Sequence, residues 1–436
     1  MKPLSTRELL ALAVPSMLSV ILTHAYRSVD QYFIQFVSTD AQAAVGSSVF
    51  VLIALASPFY LAALGAGPLI ARATGAGEPA ARRRILGSGL SLAALTAIVM
   101  GAFMVLGGPW IAVAIGLEGG AAEECVRYLE ALGWTLLPLA LTPIVDQAFI
   151  AMGDTRTPMW LQGLSLLVNA GLTPLFVLGL EWGIVGAALA SNLSRLLTTG
   201  LGFVLLVRRL DLGPADFRLD PIQLPRVIRV GFPMAMGTFL YAAVYWAMLK
   251  TSISPQGAHV NAALGIGFSA LEGFTWPAFW GISIAVSSVV GRALGAGAPD
   301  VAWAAIRKAV WMSGAAGLAA TLAFIFAGEF LTGLFTEDPR VHAAATEYAF
   351  ILGFSQLFVA AEALSEGVLG GAGDTRRVFW LSVPFNILRI PLAWVLAEPA
   401  GMGAAGIWWA VNATTVAKAA LKSHAAWRGK WVDLKI

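Results

Sequence analysis

Asp30, Asp146, Glu272, Glu362 and Glu366, together with Lys250 and Arg389, stand in stretches otherwise built of hydrocarbon side chains. A charge in such surroundings costs a few kcal/mol or more, so each group must be paired, neutralised, or kept for an ion or a ligand. A carboxyl there takes up and releases a proton or holds a cation, which is the chemistry of coupling rather than of bond making. Other chemistries lack their residues. His24, His259, His342 and His424 are scattered with no metal-ligand spacing. Gly75/Gly77 and Gly295/Gly297 fit tight turns, and with no Gly-Lys-Ser/Thr following they make no phosphate loop, which argues against ATP as the energy source. The single cysteine, Cys125, allows no intramolecular disulfide.

The elements that position these groups follow from composition. Hydrophobic residues make up 58% of the 436 and charged residues 12%, against about 25% charged in soluble domains. Such a chain cannot cover itself with polar surface, but it suits a lipid solvent. Apolar runs long enough to span a bilayer recur near 8–37, 41–70, 85–108, 122–150, 158–180, 184–207, 227–254, 260–289, 304–327, 341–369, 377–397 and 403–425. The expectation is an all-α polytopic membrane protein of twelve transmembrane helices. The N-terminal apolar stretch lacks a small-residue cleavage site and reads as a retained first helix. The net charge of +3 is small and dispersed, which excludes nucleic acid as a partner.

A polar stretch near 208–226, with Asp211, Pro214, Asp216, Pro221 and Pro225, reads as a cytoplasmic linker between residues 1–207 and 227–436. The two sides repeat one pattern. The run Arg72-Ala73-Thr74-Gly75-Ala76-Gly77-Glu78-Pro79 recurs 220 residues later from Arg292, and Gly153-Asp154-Thr155-Arg156 recurs from Gly373. Gly183, Gly186 and Asn192 recur as Gly403, Gly406 and Asn412 in the same register. Six spans is an even number, so both halves enter the membrane from one side as parallel six-helix lobes. Basic residues concentrate in alternate loops (Lys2, Arg7, Arg72, Arg82, Arg83, Arg84, Arg156, Arg208, Arg209, Arg307, Lys308, Arg376, Arg377), and the opposite loops hold mainly acids. The positive-inside rule then puts both termini in the cytoplasm.

With Val29-Asp30, the Arg72–Pro79 loop, Gly153-Asp154-Thr155-Arg156-Thr157-Pro158, Asn169, Gly183-x-x-Gly186-Ala187-Ala188 and Gly231-Phe232-Pro233 in this order, the chain resembles the multidrug and toxic compound extrusion (MATE) family of the MOP flippase superfamily over nearly its whole length. The resemblance implies a pair of six-helix lobes that export small organic solutes against a proton or sodium gradient, with no cofactor. It places Asp30 in the cation-responsive site of the N-terminal lobe, with Asn169 and Ser191 in the same pocket and Asp146 near the same depth. Thr173 stands where some members carry a second acid. With one carboxylate fewer, a sodium site is less secure, since hard cations need several oxygen ligands, and a proton gains weight. Tyr241 stands where one subfamily has a glutamate in its cation site.

Other readings stay open. Asp30 can instead pair with Arg27, three residues earlier on the same face. In the 220-residue register Lys250 mates with Asp30, Glu366 with Asp146 and Arg389 with Asn169. Lys250, Glu272, Glu366 and Arg389 read either as a substrate cavity of mixed sign or as an ion-pair network, such as Lys250 with Glu272 or Glu366. Bare Lys250 and Arg389 would repel a cation, which leaves anionic, zwitterionic or lipid-linked substrates open. Pro15, Pro58, Pro233 and Pro277 are expected to kink their helices. Trp110, Trp182, Trp431 and Tyr348 read as interfacial anchors. The expected molecule is a monomer in the bacterial inner membrane, in contact with lipid. A lipid-linked substrate flippase is the alternative, and a polytopic membrane enzyme a remoter one.

Overall fold

The structure, a computed structural model, describes residues 2–436, apart from the side chains at 27, 39, 43, 46–51, 269 and 270. Every regular element among the described residues is helical. The first half holds α1 (Thr6–Ile34), α2 (Thr39–Ala76), α3 (Pro79–Ala114), α4 (Gly119–Trp134), α5 (Leu137–Ala151), α6 (Arg156–Pro174) and α7 (Gly183–Leu210). The second holds α8 (Gln223–Met248), α9 (Ala258–Ile266), α10 (Gly273–Gly295), α11 (Pro299–Gly333), α12 (Pro339–Gly353), α13 (Gln356–Gly371), α14 (Thr375–Ala397) and α15 (Gly403–Trp427).

Among the described residues, nine helices are long and apolar enough to cross a membrane. Two bent pairs, α4 with α5 (58°) and α12 with α13 (57°), bring the number to eleven. The twelfth is α15, 25 residues long, whose apolarity is diluted by Lys418, Lys422 and His424. The fold is thus the expected twelve transmembrane helices. The expected 260–289 span runs through α9, a π-helical stretch Gly267–Glu272 and α10. Two more π-helical stretches, Leu175–Gly179 and Leu249–Ile253, extend α6 and α8.

The two bends are features the apolar pattern did not reveal. At the first, Pro138 opens α5 and cannot donate into the preceding turn. The second break, at Phe354 and Ser355, has no proline. Both breaks free carbonyls that must find donors inside the protein. An asparagine supplies each. Asn192 Nδ2 donates to Leu132 O (3.4 Å) and to Thr135 Oγ1, and Asn412 Nδ2 donates to Ile351 O (2.5 Å). The repeated Asn192/Asn412 pair is therefore a pair of staples, one for each bend.

The repeated glycines have physical reasons too. Gly77 (φ 71°) and Gly297 (φ 62°) close α2 and α10 in the left-handed conformation that a Cβ penalises. Glu78 N donates to Ala73 O and Ala298 N to Ala293 O, both at 2.9 Å, which completes the same helix-ending motif twice. A Cβ at Gly186 would meet Phe176 O at 2.7 Å, and one at Gly406 would meet Leu396 O at 2.6 Å.

The chain divides into two compact units. The N unit comprises Ser19–Phe239 with Ile436; the C unit comprises the residues up to Leu18 and Leu240–Lys435. The boundaries fall inside α1 and α8. The stretch expected as a linker is held down rather than loose. Ser91 Oγ on α3 donates to Phe217 O (2.6 Å), Ser88 Oγ accepts from Asp220 N (3.3 Å), and Gly87 leaves room for the Asp216 carbonyl.

Of the expected anchors, Trp110 and Trp182 are exposed. The other two are corrected. Trp431 is fully buried, donates to Ala426 O (2.7 Å) and packs its ring 5.2 Å from Trp303. Tyr348 is buried beside Trp408 and bonds Glu272. In both, a hydrogen-bond partner for the polar tip lies within the protein, so no membrane interface is needed.

Candidate ion-coupling site

Three helices of the N unit build the site. Asp30 is near the end of α1, Asn169 and Thr173 share a face of α6 at i, i+4, and Ser191 is on α7. Asn169 Nδ2 donates to Asp30 Oδ1 at 3.1 Å and Thr173 Oγ1 donates to the same oxygen at 3.2 Å. Ser191 Oγ donates to Asp30 Oδ2 at 2.6 Å, and Asn169 Nδ2 also lies 3.4 Å from Ser191 Oγ. Asn169, Thr173 and Ser191 are buried. The expected coupling residues Asp30, Asn169, Thr173 and Ser191 are thus brought together. The Arg27 side chain, the alternative partner of Asp30, lies outside the described residues.

Among the described residues every donor to Asp30 is neutral. An ionised carboxylate accepts all three bonds. A protonated one must donate one bond and needs an acceptor. Asn169 Oδ1, buried and without a hydrogen-bond partner among the described residues, is such an acceptor nearby. The cluster can therefore accommodate both charge states, with a change of partners between them. Among the described residues no group of three or more His, Cys, Asp or Glu could hold a metal ion.

Below this cluster Tyr26 OH donates to Ser191 O (2.7 Å) and lies 2.6 Å from Ser194 Oγ, with the Arg195 guanidinium 4.6 Å from the centre of its ring. Asp146 accepts from Gln162 Nε2 at 2.7 Å. Gln162 precedes Asn169 by seven residues on α6, about 10 Å along the axis. Asp146 is therefore not at the depth of Asp30, which corrects the expectation. The α5 helix restarts at Leu137 after the bend, and that shifts its residues relative to a straight span.

The C unit places its candidates differently. Lys250 is exposed on the π-helical stretch that extends α8, 4.6 Å from the Trp246 ring, and forms no ion pair with Glu272 or Glu366. The ion-pair network exists with other lysines. Lys422 Nζ contacts Glu366 and lies 2.7 Å from Glu362, and Lys418 Nζ lies 3.1 Å from Glu362. These lysines are at i, i+4 on α15 and face glutamates at i, i+4 on α13. The sequence alone did not single them out; their four-residue spacing within the last span, matching that of Glu362 and Glu366, was the available signal. Arg389 is buried and donates to Thr414 Oγ1 (3.0 Å), Thr415 Oγ1 (3.2 Å) and Tyr245 OH (3.3 Å). Glu272 accepts from Tyr348 OH at 2.9 Å. Tyr241 stacks beside Tyr245, ring centres 4.8 Å apart.

Outside the spans, Asp154 accepts from the Arg156 and Thr157 amides at the start of α6, and Asp374 precedes α14. Burial pushes Asp154 up, but the Thr157 amide and hydroxyl and the Arg209 guanidinium (2.7 Å) outweigh it and hold the carboxyl below its usual range. At Asp374 burial wins over Arg377 (2.8 Å) and the carboxyl is raised.

The sequence model of the MatE family matches residues 15–175 and 233–395, one match in each half. The chain belongs to the MatE family. Curated MatE-type relatives agree over nearly full length. A probable multidrug resistance protein NorM from Thermotoga maritima is 28% identical, with 98% of this chain and 93% of that protein covered. Another from Bradyrhizobium diazoefficiens is 30% identical over 92% and 88%. A solved MOP superfamily transporter from Pyrococcus furiosus has the same fold, with a TM-score of 0.91 and 18% identity over 99% of this chain and 97% of that one.

Proposed function

We propose that this integral membrane protein is a secondary-active exporter of small organic compounds, driven by protons through Asp30. MatE membership and the relatives' printed names as multidrug resistance proteins support drug-like substrates. The lipid-linked flippase reading is not favoured by those relatives. The observation that carries the coupling reading is the Asp30 carboxylate, held among the described residues by three neutral donors beside an acceptor without a partner there. A proton exchanges the direction of one hydrogen bond there, and α6 and α7 are the helices that feel it. A sodium ion would need several oxygen ligands, whereas the Thr173 and Ser191 hydroxyls and the Asn169 amide are turned to donate to Asp30. In this reading both termini are cytoplasmic, the chain works as a monomer in a bacterial inner membrane, and Tyr241, Glu272 and Arg389 contribute to the substrate's surroundings in the C unit, while Glu366 belongs to the ion cluster with Lys422 and Lys250 faces outward.

The test is drug transport in proteoliposomes under separately imposed proton and sodium gradients. A proton gradient should drive efflux by the wild type and not by Asp30→Asn, with both proteins inserting equally. Efflux driven only by sodium, or normal efflux by the variant, would remove the proposal.

A further inference from the structure

Inside the C unit a ladder of charges lacks one rung. On α15, Thr414, Lys418 and Lys422 follow at four-residue intervals and share a face. Lys422 contacts Glu366 and lies 2.7 Å from Glu362, and Lys418 lies 3.1 Å from Glu362. A third cation, Arg389 of α14, donates to Thr414 and Thr415 and so stands one turn before Lys418. The α13 and α15 helices pair in the same direction, and one turn before Glu362 the α13 residues are Phe358 and Val359, so no acid completes the row. Three cations thus face two anions. Arg389, 2% exposed, forms no ion pair among the described residues, and Glu272 is bonded by Tyr348 instead. Three of the five N–H groups of the guanidinium are used, and two remain. Asn386 stands one turn earlier than Arg389 on the same face of α14, and it is 6% exposed. Its amide makes no hydrogen bond among the described residues, and its Oδ1 is buried. The other buried asparagines, Asn169, Asn192 and Asn412, all spend their Nδ2 on a partner. A short loop joins α14 and α15, which run antiparallel. One turn back from Arg389 and one turn on from Thr414 therefore reach the same level, which sets Asn386 level with Lys418.

We propose that Arg389, Asn386 and Lys418 form a subsite for one carboxylate group carried by the substrate. The idle N–H groups of Arg389 and the Asn386 Nδ2 offer that carboxylate hydrogen bonds, the former charge-assisted, and its negative charge supplies the missing rung. Glu362 and Glu366 keep their lysines throughout. A guanidinium left in the interior without an anion is costly, and a carboxylate that arrives there relieves the cost. The same three cations repel a positive group, so a zwitterion must enter with its cationic end turned away, and a substrate whose carboxyl is esterified loses the attraction while keeping the repulsion. This rests on the exporter reading and names the class of substrate.

Two rhodamine dyes, one with a free carboxylate and the other its methyl ester, differ in that charge alone. Their binding to the full chain in liposomes without any gradient, read by fluorescence anisotropy against empty liposomes, measures the subsite apart from transport. The wild type should bind the free acid about tenfold more tightly than the ester. Arg389→Gln should abolish the preference, weakening the acid about tenfold and leaving the ester unchanged or tighter. Asn386→Asp places a carboxylate of the chain's own beside the guanidinium and should act the same way with Arg389 still in place, which keeps the test decisive if Arg389→Gln does not fold. Lys250→Gln removes a positive charge that faces outward and should leave both dyes as in the wild type. Equal binding of the two dyes, or equal losses for both in the Arg389 and Asn386 variants, would overturn the proposal. If the preference is absent while a proton gradient still drives efflux of the ester, the exporter reading survives and this one falls. If the preference is present but no gradient drives efflux of either dye, the reverse holds.

Discussion

The two halves of this chain share a register and differ in the sign of what they bury. In the N unit an acid, Asp30, is surrounded by neutral donors. In the C unit its register mate is Lys250, turned outward, and the place of Asn169 is taken by Arg389, which spends its nitrogens on two threonines and a tyrosine. The C unit also buries two lysines, and there two half-buried glutamates meet them. Duplication transmitted the backbone: the same bends, the same asparagine staples and the same left-handed glycines appear twice. It did not transmit the interior charges. Backbone hydrogen bonds in a lipid solvent must be satisfied in every copy, whereas an interior charge needs only some local compensation, and the two halves found different ones.

That contrast can be broken most severely at Lys422. Removing one partner of a buried ion cluster leaves an uncompensated charge, so Lys422→Met should destabilise the chain by about 3–5 kcal/mol in thermal unfolding. Lys422→Met with Glu366→Gln should recover much of that loss; a double variant as unstable as the sum of its parts would show that the ion pairing is not what holds the C unit. The N unit should respond the other way. Asp30→Asn keeps the shape and the bonding groups, so stability should change by under about 1 kcal/mol. Its proton-driven efflux should nevertheless fall at least about a hundredfold, measured in vesicles. The shared features should give equal effects. Asn192→Ala and Asn412→Ala each strip a donor from a bend and should cost about 1–3 kcal/mol, alike in both halves; a large cost in one and none in the other would mean the bends are held differently.

The smallest effect concerns the two loops outside the spans. Asp154 is held below its usual range, so its contribution is present above the ordinary carboxylate range and is lost as pH falls through its folded value. Asp374 is raised, so its ionised form costs the folded state and that cost is relieved as pH falls. Asp154→Asn should therefore destabilise the fold at neutral pH by under about 1 kcal/mol and have no effect in acid, followed by unfolding at several pH values. Asp374→Asn should show a pH trend of opposite sign, and parallel trends would contradict the assigned causes.

Much of this was legible in the sequence. Twelve apolar runs and the 220-residue register follow from composition and from matching glycines, because a bilayer imposes length and apolarity on every span. Asp30, Asn169, Thr173 and Ser191 meet as the resemblance implied. What the sequence hid depended on rotation and bending. Lys418 and Lys422 lie inside the last apolar run, and only the turn of their helix shows them facing Glu362 and Glu366. Tyr348 and Trp431 had interfacial composition, and only tertiary packing showed partners for their polar tips. The depth of Asp146 depended on a break at residues 135–136 that hydropathy averages away.

The lysines on α15 are counter-ions on a leash. An ammonium bound covalently to the chain has no concentration on either side of a membrane, so no gradient can perform work through it. The carboxylates it satisfies are removed from the reach of dissolved ions at any salt level that leaves the fold intact, and a dissolved ion can enter this protein's energy conversion only where compensation was left unfinished.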